Sequence, residues 1–260
     1  MNLPNIDNAK VAILPVPIET TTSYKKGTKR GPETIIRASS ELEMYDEELG
    51  LEPYKVGITT LNEIYELEEL ENLKTDKFVI ALGGEHTITL PIVKRFPEEK
   101  LSILHIDAHA DLKNVFDGEK LSHACVMRRI AEFNKKIVQF GIRSLSKEEH
   151  EFIQRNNIKT FFMKDLVYDS NYIREILNSL SEDVYITIDV DAFDPSVISE
   201  VGNPEPGGIR WYQLLTLLKY VFKEKNVVGV DIVEFSPRKE TNSDFILAKL
   251  IYKIIGYKFN

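Results

Sequence analysis

Cysteine is almost missing from this chain: Cys125 is the only one in 260 residues. A lone thiol excludes an internal disulfide and any cysteine-rich zinc site, and it accords with a reducing compartment. Long apolar runs are missing too, none approaching the roughly 20 residues of a membrane span. The opening Met-Asn-Leu-Pro-Asn-Ile-Asp has neither the basic start nor the apolar centre of a secretory signal, so the expected location is the cytoplasm. Positive charge is in deficit, with 33 Lys and Arg against 41 Asp and Glu and a formal net charge of -8. That balance argues against nonspecific nucleic-acid binding and leans towards a cationic partner. Glutamine is scarce (Gln139, Gln154 and Gln213 only) while Lys, Glu and Ile abound, a bias found in proteins from hot environments. No Pro/Gly/Ser-rich linker divides the chain, so one domain over residues 1–260 is expected.

What is present is an alternation of strand and helix signals. Lys10 to Val16 reads as a first strand, and Gly31-Pro32-Glu33 as a helix start with proline in the first turn. Tyr54 to Ile58 reads as a short strand, and the acidic stretch Glu63 to Glu71 as a solvated surface. Phe78 to Leu82 is a continuous apolar run, the pattern of a strand buried on both faces, followed by Gly83-Gly84-Glu85-His86-Thr87. A helix near Thr89 to Lys94, the strand from Leu101, a helix His123 to Phe133 capped by Ser122 and a strand Ile137 to Gly141 continue the series. Ser146-Lys-Glu-Glu149 is a capping box. Beyond it, Thr160 to Met163, Ile173 to Leu180, Val184 to Ile188, Trp211 to Phe222, Val227 to Val233 and Phe245 to Ile255 read as strand, helix, strand, helix, strand, helix. Such alternation predicts an α/β parallel sheet covered by helices on both faces, with ligands beyond the C-terminal ends of the strands.

Three of those predicted ends carry unusual side chains. Leu101-Ser-Ile-Leu-His-Ile-Asp-Ala-His-Ala-Asp111 ends an apolar strand in Asp107, His109 and Asp111, which an extended chain would place on one side. Asp189 and Asp191 end another strand two residues apart, and His86 follows the paired glycines. Together these make two imidazoles and four carboxylates, enough for two divalent ions with bridging carboxylates. Four ionised carboxylates gathered without cations would repel and be forced to protonate. Oxygen-dominated ligation with two imidazoles and no thiolate suits manganese, with iron, cobalt or zinc as alternatives. His105, on the same alternate set as Asp107, reads as a hydrogen-bonded support, His150 as a surface residue, and Cys125 as a small packed side chain.

Gly-Gly-Glu-His86-Thr, Asp107-Ala-His109-Ala-Asp111 and Thr-Ile-Asp189-Val-Asp191-Ala-Phe-Asp194-Pro195 resemble the three signatures of the ureohydrolases, the arginases and agmatinases. The resemblance runs from Thr22-Ser-Tyr-Lys-Lys-Gly27 to Val230-Asp-Ile-Val-Glu234-Phe-Ser-Pro237. Thr87, Ala110 and Thr187 depart from the commoner Ser, Thr and Ser without removing a ligand. The resemblance implies a three-layer αβα sandwich with a central eight-stranded parallel sheet, two Mn²⁺ per chain and a homo-oligomer, trimer or hexamer. It implies that His86, Asp107, Asp111 and Asp189 hold one ion and that Asp107, His109, Asp189 and Asp191 hold the other. A hydroxide between the ions would attack the guanidinium carbon, Asp111 would pass the proton to the leaving nitrogen, and His123 would shuttle protons or touch substrate. Glu234 would grip the guanidinium, releasing urea and an amine. The loop after Asp111 carries Lys113 where arginases have asparagine, and Asn114, Phe116, Asp117 and Glu119 in a run similar to agmatinases. Phe116, Asp117 and Glu119 would suit an alkyl chain ending in an ammonium. The expected substrate is therefore agmatine, giving urea and putrescine, with N1-aminopropylagmatine (giving spermidine) as the alternative and arginine or another guanidino compound behind it. A single-zinc deacetylase and a non-catalytic metal-binding protein are the readings from other classes, the latter expected to lack Glu234 and His123.

Overall fold

The computed structural model describes residues 8–166, 171–239 and 242–260; the N-terminal stretch read above for a signal lies outside them. Eight strands form one sheet: β1 (Val11–Val16), β2 (Ile58–Thr60), β3 (Phe78–Gly83), β4 (Leu101–Ile106), β5 (Ile137–Ile142), β6 (Lys159–Phe162), β7 (Asp183–Asp189) and β8 (Asn226–Val233). Their order is β2-β1-β3-β8-β7-β4-β5-β6, and every pairing is parallel, as the alternation predicted. Pro15 is tolerated inside β1 because β2 pairs only with Val11 to Ile13. The edge beside Pro15 has no strand N–H to match, and its carbonyl accepts from Ile64 instead.

Side chains of each central strand divide between two cores, as a period of two requires. Ile80 and Leu82 of β3, Leu104 and Ile106 of β4, and Ile186 and Ile188 of β7 face one core. It is closed by α1 (Gly31–Ala38), α7 (Tyr172–Ser179), α8 (Trp211–Glu224) and α9 (Ser243–Phe259). Val79, Ala81, Ile103 and Tyr185 face the other, closed by α2 (Leu67–Glu71), α3 (Thr89–Val93), α4 (Val126–Ile130) and α5 (Lys147–Asn156). A short α6 (Met163–Leu166) follows β6. None of the described helices is long and apolar enough to cross a membrane.

Local expectations held where a strong cap or apolar run set them and slipped where glycine or a tertiary bond intervened. Ser146 and Glu149 form the capping box at the start of α5. Tyr54 to Ile58 is not a strand: Pro53 opens a 3-10 turn over Pro53–Val56, Gly57 takes φ 78°, and β2 begins only at Ile58. The helix expected from His123 is a 3-10 turn, His123–Cys125, running into the short α4. The Ser122 side chain does not cap it, and the His123 N–H is donated to the Thr21 hydroxyl. In the acidic stretch, Leu70 packs inward while the surrounding glutamates stay exposed.

Candidate functional site

The strand order explains the site. β3, β8, β7 and β4 are neighbours, so the residues after their C-terminal ends (His86, Glu234, Asp189 with Asp191, and Asp107 to Asp111) meet at one edge of the sheet. Gly84 lets the β3 turn press against the preceding loop, since a Cβ there would fall 2.1 Å from the Ile18 carbonyl oxygen. The comb is not one extended strand. β4 ends at Ile106, and Asp111 turns back through φ 52° while Glu234 has φ 66°. Both are left-handed conformations that cost a non-glycine residue about 1–3 kcal/mol and cluster at functional sites.

Around His86 the ligand geometry follows from counting hydrogens. Thr187 Oγ1 lies 2.8 Å from His86 Nε2 and donates its single hydrogen to Asp231 Oδ1 at 2.6 Å. It must therefore accept from Nε2–H, and the Nδ1 lone pair is left pointing elsewhere. Nδ1 lies 3.0 Å from Asp111 Oδ2, 3.3 Å from Asp107 Oδ2 and 3.6 Å from Asp189 Oδ2, yet makes no hydrogen bond among the described residues. A buried imidazole lone pair facing three carboxylates is an arrangement that a cation resolves and a proton only partly does. The second group is Asp107, His109 and Asp191, with His109 Nδ1 2.8 Å from Asp191 Oδ2. Asp191 Oδ1 is held by the Ala108 N–H, and Asp189 Oδ1 by the Asp191 N–H.

The charges tell the same story. Burial, then the neighbouring Asp191, Asp107 and Glu234 carboxylates, push Asp189 well above the usual carboxylate range. Burial likewise raises Asp191 and Glu234. Burial opposes charge on the imidazoles, but Asp107 and Asp111 raise His86, while Asp191 and Asp107 push His109 up to about 12. Carboxyls pushed up beside imidazoles pushed up, with Asp107 alone, against its burial, drawn down by the histidines around it, mark a site short of positive charge, which two divalent cations would supply. The donor set therefore fits a binuclear metal centre. His105 lies within ligand range of the first group, but both its nitrogens are engaged, Nε2 by Asp107 Oδ2 at 2.7 Å and Nδ1 by the Gln139 amide at 3.0 Å. It supports Asp107, as expected.

A cavity of about 160 Å³ opens onto this cluster, lined among others by Asp111, Asp189, Asp191, His123, Glu234 and Lys113. Glu234 Oε1 accepts from the His86 N–H at 2.8 Å, and the Glu234 N–H is donated to the Gly84 carbonyl. Burial pushes His123 below its ordinary value, and its ring meets the edge of Phe116 at 5.3 Å. Phe116 and Lys113 line the cavity, the Lys113 ammonium lying 4.4 Å above the Phe116 ring. Asp117 and Glu119 do not line it; they are exposed on the turn that pairs Phe116 with Glu119. His150 is exposed and Cys125 is buried and free.

Four residues of the site escaped the sequence reading. Asp231, fully buried in β8, collects Thr89, Tyr185 and Thr187 hydroxyls; an acid inside an otherwise apolar strand was the available signal. Arg143 donates to the Asp191, Ala192, Glu205 and Pro206 carbonyls and so ties the β7 turn to the loop before Gly208. Glu149, read only as a cap, also accepts from the Leu112 N–H and reaches the cavity wall. Glu85 is fully buried beside His86.

An αβα parallel sheet with a His/Asp cluster built for two ions at its C-terminal edge defines a metallohydrolase class. The sequence profile of the Arginase family matches residues 9–256, and the chain belongs to that family of ureohydrolases, enzymes that act on guanidino compounds. It is 38% identical over 273 residues to the N(1)-aminopropylagmatine ureohydrolase of Synechocystis sp., covering 96% of this chain and 89% of the relative. It is 36% identical to the agmatinase of Pyrococcus horikoshii, covering 98% and 95%. The crystal structure of agmatine ureohydrolase from Thermoplasma volcanium superposes with a TM-score of 0.85 at 31% identity, covering 96% of this chain and 90% of that one.

Proposed function

We propose that this ureohydrolase takes a decarboxylated guanidino cation, agmatine or N1-aminopropylagmatine, and releases urea with putrescine or spermidine. The observation that carries the reading is the charge left in the cavity wall once the metal-facing aspartates are set aside. Glu234 and Glu149 both line the cavity, against the single ammonium of Lys113. Two carboxylates suit a substrate with a cation at each end, whereas the α-carboxylate of arginine would meet them unfavourably. The aminopropyl substrate is favoured by the Synechocystis relative and by the 37% identical relative of Thermus thermophilus, both named for it; agmatine is favoured by the Pyrococcus relative.

In this reading His86, Asp107, Asp111 and Asp189 would hold one divalent ion and Asp107, His109, Asp189 and Asp191 the other, with Mn²⁺ the ion best suited to the oxygen-rich donors. When bound, such ions supply Lewis-acid activation of water at neutral pH. Glu234 orients the guanidinium through paired charged hydrogen bonds, its Oε2 unencumbered by the His86 amide. Asp111 takes the proton of the attacking water at its carboxylate and returns it to the leaving amine nitrogen, and His123 exchanges protons with the product side. The enzyme works as a homo-oligomer, trimer or hexamer, which sedimentation tests. For the substrate, urea release from the three candidates is measured side by side with Mn²⁺ present. Agmatine or its aminopropyl derivative is expected to exceed arginine in kcat/KM by at least about tenfold, or ~1.4 kcal/mol. Arginine as the preferred substrate overturns the reading.

A further inference from the structure

Glu85 takes no part in the mechanism above, yet it is a wholly buried charge at the centre of a dense set of donors. Its Oε2 accepts from the backbone N–H groups of Thr20 at 2.7 Å and Thr21 at 2.6 Å. Its Oε1 accepts from the hydroxyls of Thr20 at 2.9 Å, Thr21 at 3.2 Å and Thr87 at 2.6 Å. A carboxylate is an acceptor only, so each of those hydroxyls spends its one hydrogen on it.

For Thr21 this has a consequence at the next residue out. With its hydrogen committed to Glu85, Thr21 Oγ1 has only lone pairs to offer. They receive the His123 backbone N–H at 3.0 Å and face His123 Nδ1 at 3.3 Å. That contact is a hydrogen bond only if Nδ1 carries the proton. On the other side of the ring, His123 Nε2 lies 3.3 Å from Ser23 Oγ, and Ser23 Oγ accepts from the Asn203 amide at 3.1 Å. An amide N–H cannot accept, so the Ser23 hydrogen is free to be donated to Nε2. The carboxylate at one end therefore selects the Nδ1–H ring, and the amide at the other is compatible with the same ring.

We propose that Glu85, acting through Thr21, is a positioning residue that holds His123 as the Nδ1–H tautomer, with the Nε2 lone pair on the side of Ser23 and the cavity. The inference rests on the proposed proton-handling role of His123 for its catalytic consequence, but not for the tautomer itself. Burial works against the charged form of this imidazole, and it is the neutral ring that has a tautomer to be chosen. The atom able to accept a proton is then Nε2, and the loop from Thr20 to Ser23 becomes part of the reaction's geometry, not a passive rim.

The test is the ¹⁵N spectrum of histidine-labelled protein loaded with a diamagnetic ion such as Zn²⁺, with His123 assigned from its loss in His123→Asn. The wild type is expected to show Nδ1 protonated and Nε2 bare at neutral pH. Thr21→Val is expected to mix the two tautomers and lower kcat about tenfold with KM and metal content little changed, while the other histidine resonances stay in place. Thr21→Ser is expected to restore both readouts. Combined with His123→Asn, Thr21→Val is expected to cost nothing further in kcat, because its effect passes through the ring that is gone. An Nε2–H ring in the wild type, an unchanged His123 spectrum in Thr21→Val, or fully additive losses overturn the proposal. If His123→Asn keeps full kcat, the catalytic role assigned to His123 fails by itself, and the tautomer still stands or falls on the spectrum.

Discussion

Replacing Thr187 by valine isolates one hydroxyl that joins His86, proposed above as a metal ligand, to a buried acid. The two side chains are nearly the same size, so no cavity opens; what disappears is an oxygen 2.8 Å from His86 Nε2 and 2.6 Å from Asp231 Oδ1. His86 loses the acceptor that fixes its Nε2–H form and aims Nδ1 at Asp107, Asp111 and Asp189. Partners of metal-bound histidines typically carry about 10- to 100-fold in metal affinity, or about 1.4 to 2.7 kcal/mol. Asp231 loses one donor of three while fully buried, which costs about 1–3 kcal/mol of stability and lowers Tm by roughly 2–4 °C for each kcal/mol in a chain of this size. The two effects separate with Tyr185→Phe, which removes a different donor from Asp231 at 2.8 Å and leaves His86 untouched. Competition for metal against a graded chelator, with thermal unfolding of the metal-free protein alongside, reads both. Thr187→Val is expected to weaken the ion served by His86 and to lower Tm; Tyr185→Phe is expected to lower Tm only. Unchanged affinity in Thr187→Val, or an equal loss of affinity in both variants, would refute the reasoning.

Glu234→Gln keeps an oxygen for the His86 N–H but loses the charge, so kcat/KM for the preferred guanidino substrate is expected to fall about 10- to 100-fold with two ions still bound by metal analysis. Gly84→Ala places a Cβ 2.1 Å from the Ile18 carbonyl oxygen, and the loop that delivers Thr20 to Ser23 must move; circular dichroism is expected to show a folded protein of lower Tm, and urea release to drop with it. Asp194 is held down to about 2, first by the Ser196 hydroxyl and N–H and then by Gly208 and Gly207, against about 3.9 in an unfolded chain. Its folded pKa is the lower one, so its contribution is present above about pH 4 and lost as pH falls towards 2. Urea midpoints measured across that window are expected to flatten in Asp194→Asn, and an unchanged slope removes Asp194 from acid stability.

The sequence by itself determined the parts that depend on local pattern and side-chain chemistry. Apolar runs such as Phe78 to Leu82, short and bounded by turn residues, read as buried strands, and their alternation with helices predicts a covered parallel sheet. Aspartates and histidines at those strand ends, with no thiol among them, point to oxygen-rich metal chemistry before any coordinate is seen. Ser146 and Glu149 announced their own cap because both partners lie within one helical turn. Tertiary structure decided what depends on neighbours distant in sequence. That β8 enters between β3 and β7 places Glu234 beside His86, 148 residues away, and no local signal contains that order. Asp111 reaches the cluster through a left-handed backbone conformation beyond the end of β4, not by strand alternation. Asp117 and Glu119 looked suited to a substrate ammonium, yet their turn faces solvent. Glu85 and Asp231 lie in the quoted motifs without a role that one dimension could assign. They matter because a hydroxyl has one hydrogen to give, and only the folded chain shows which acceptor receives it.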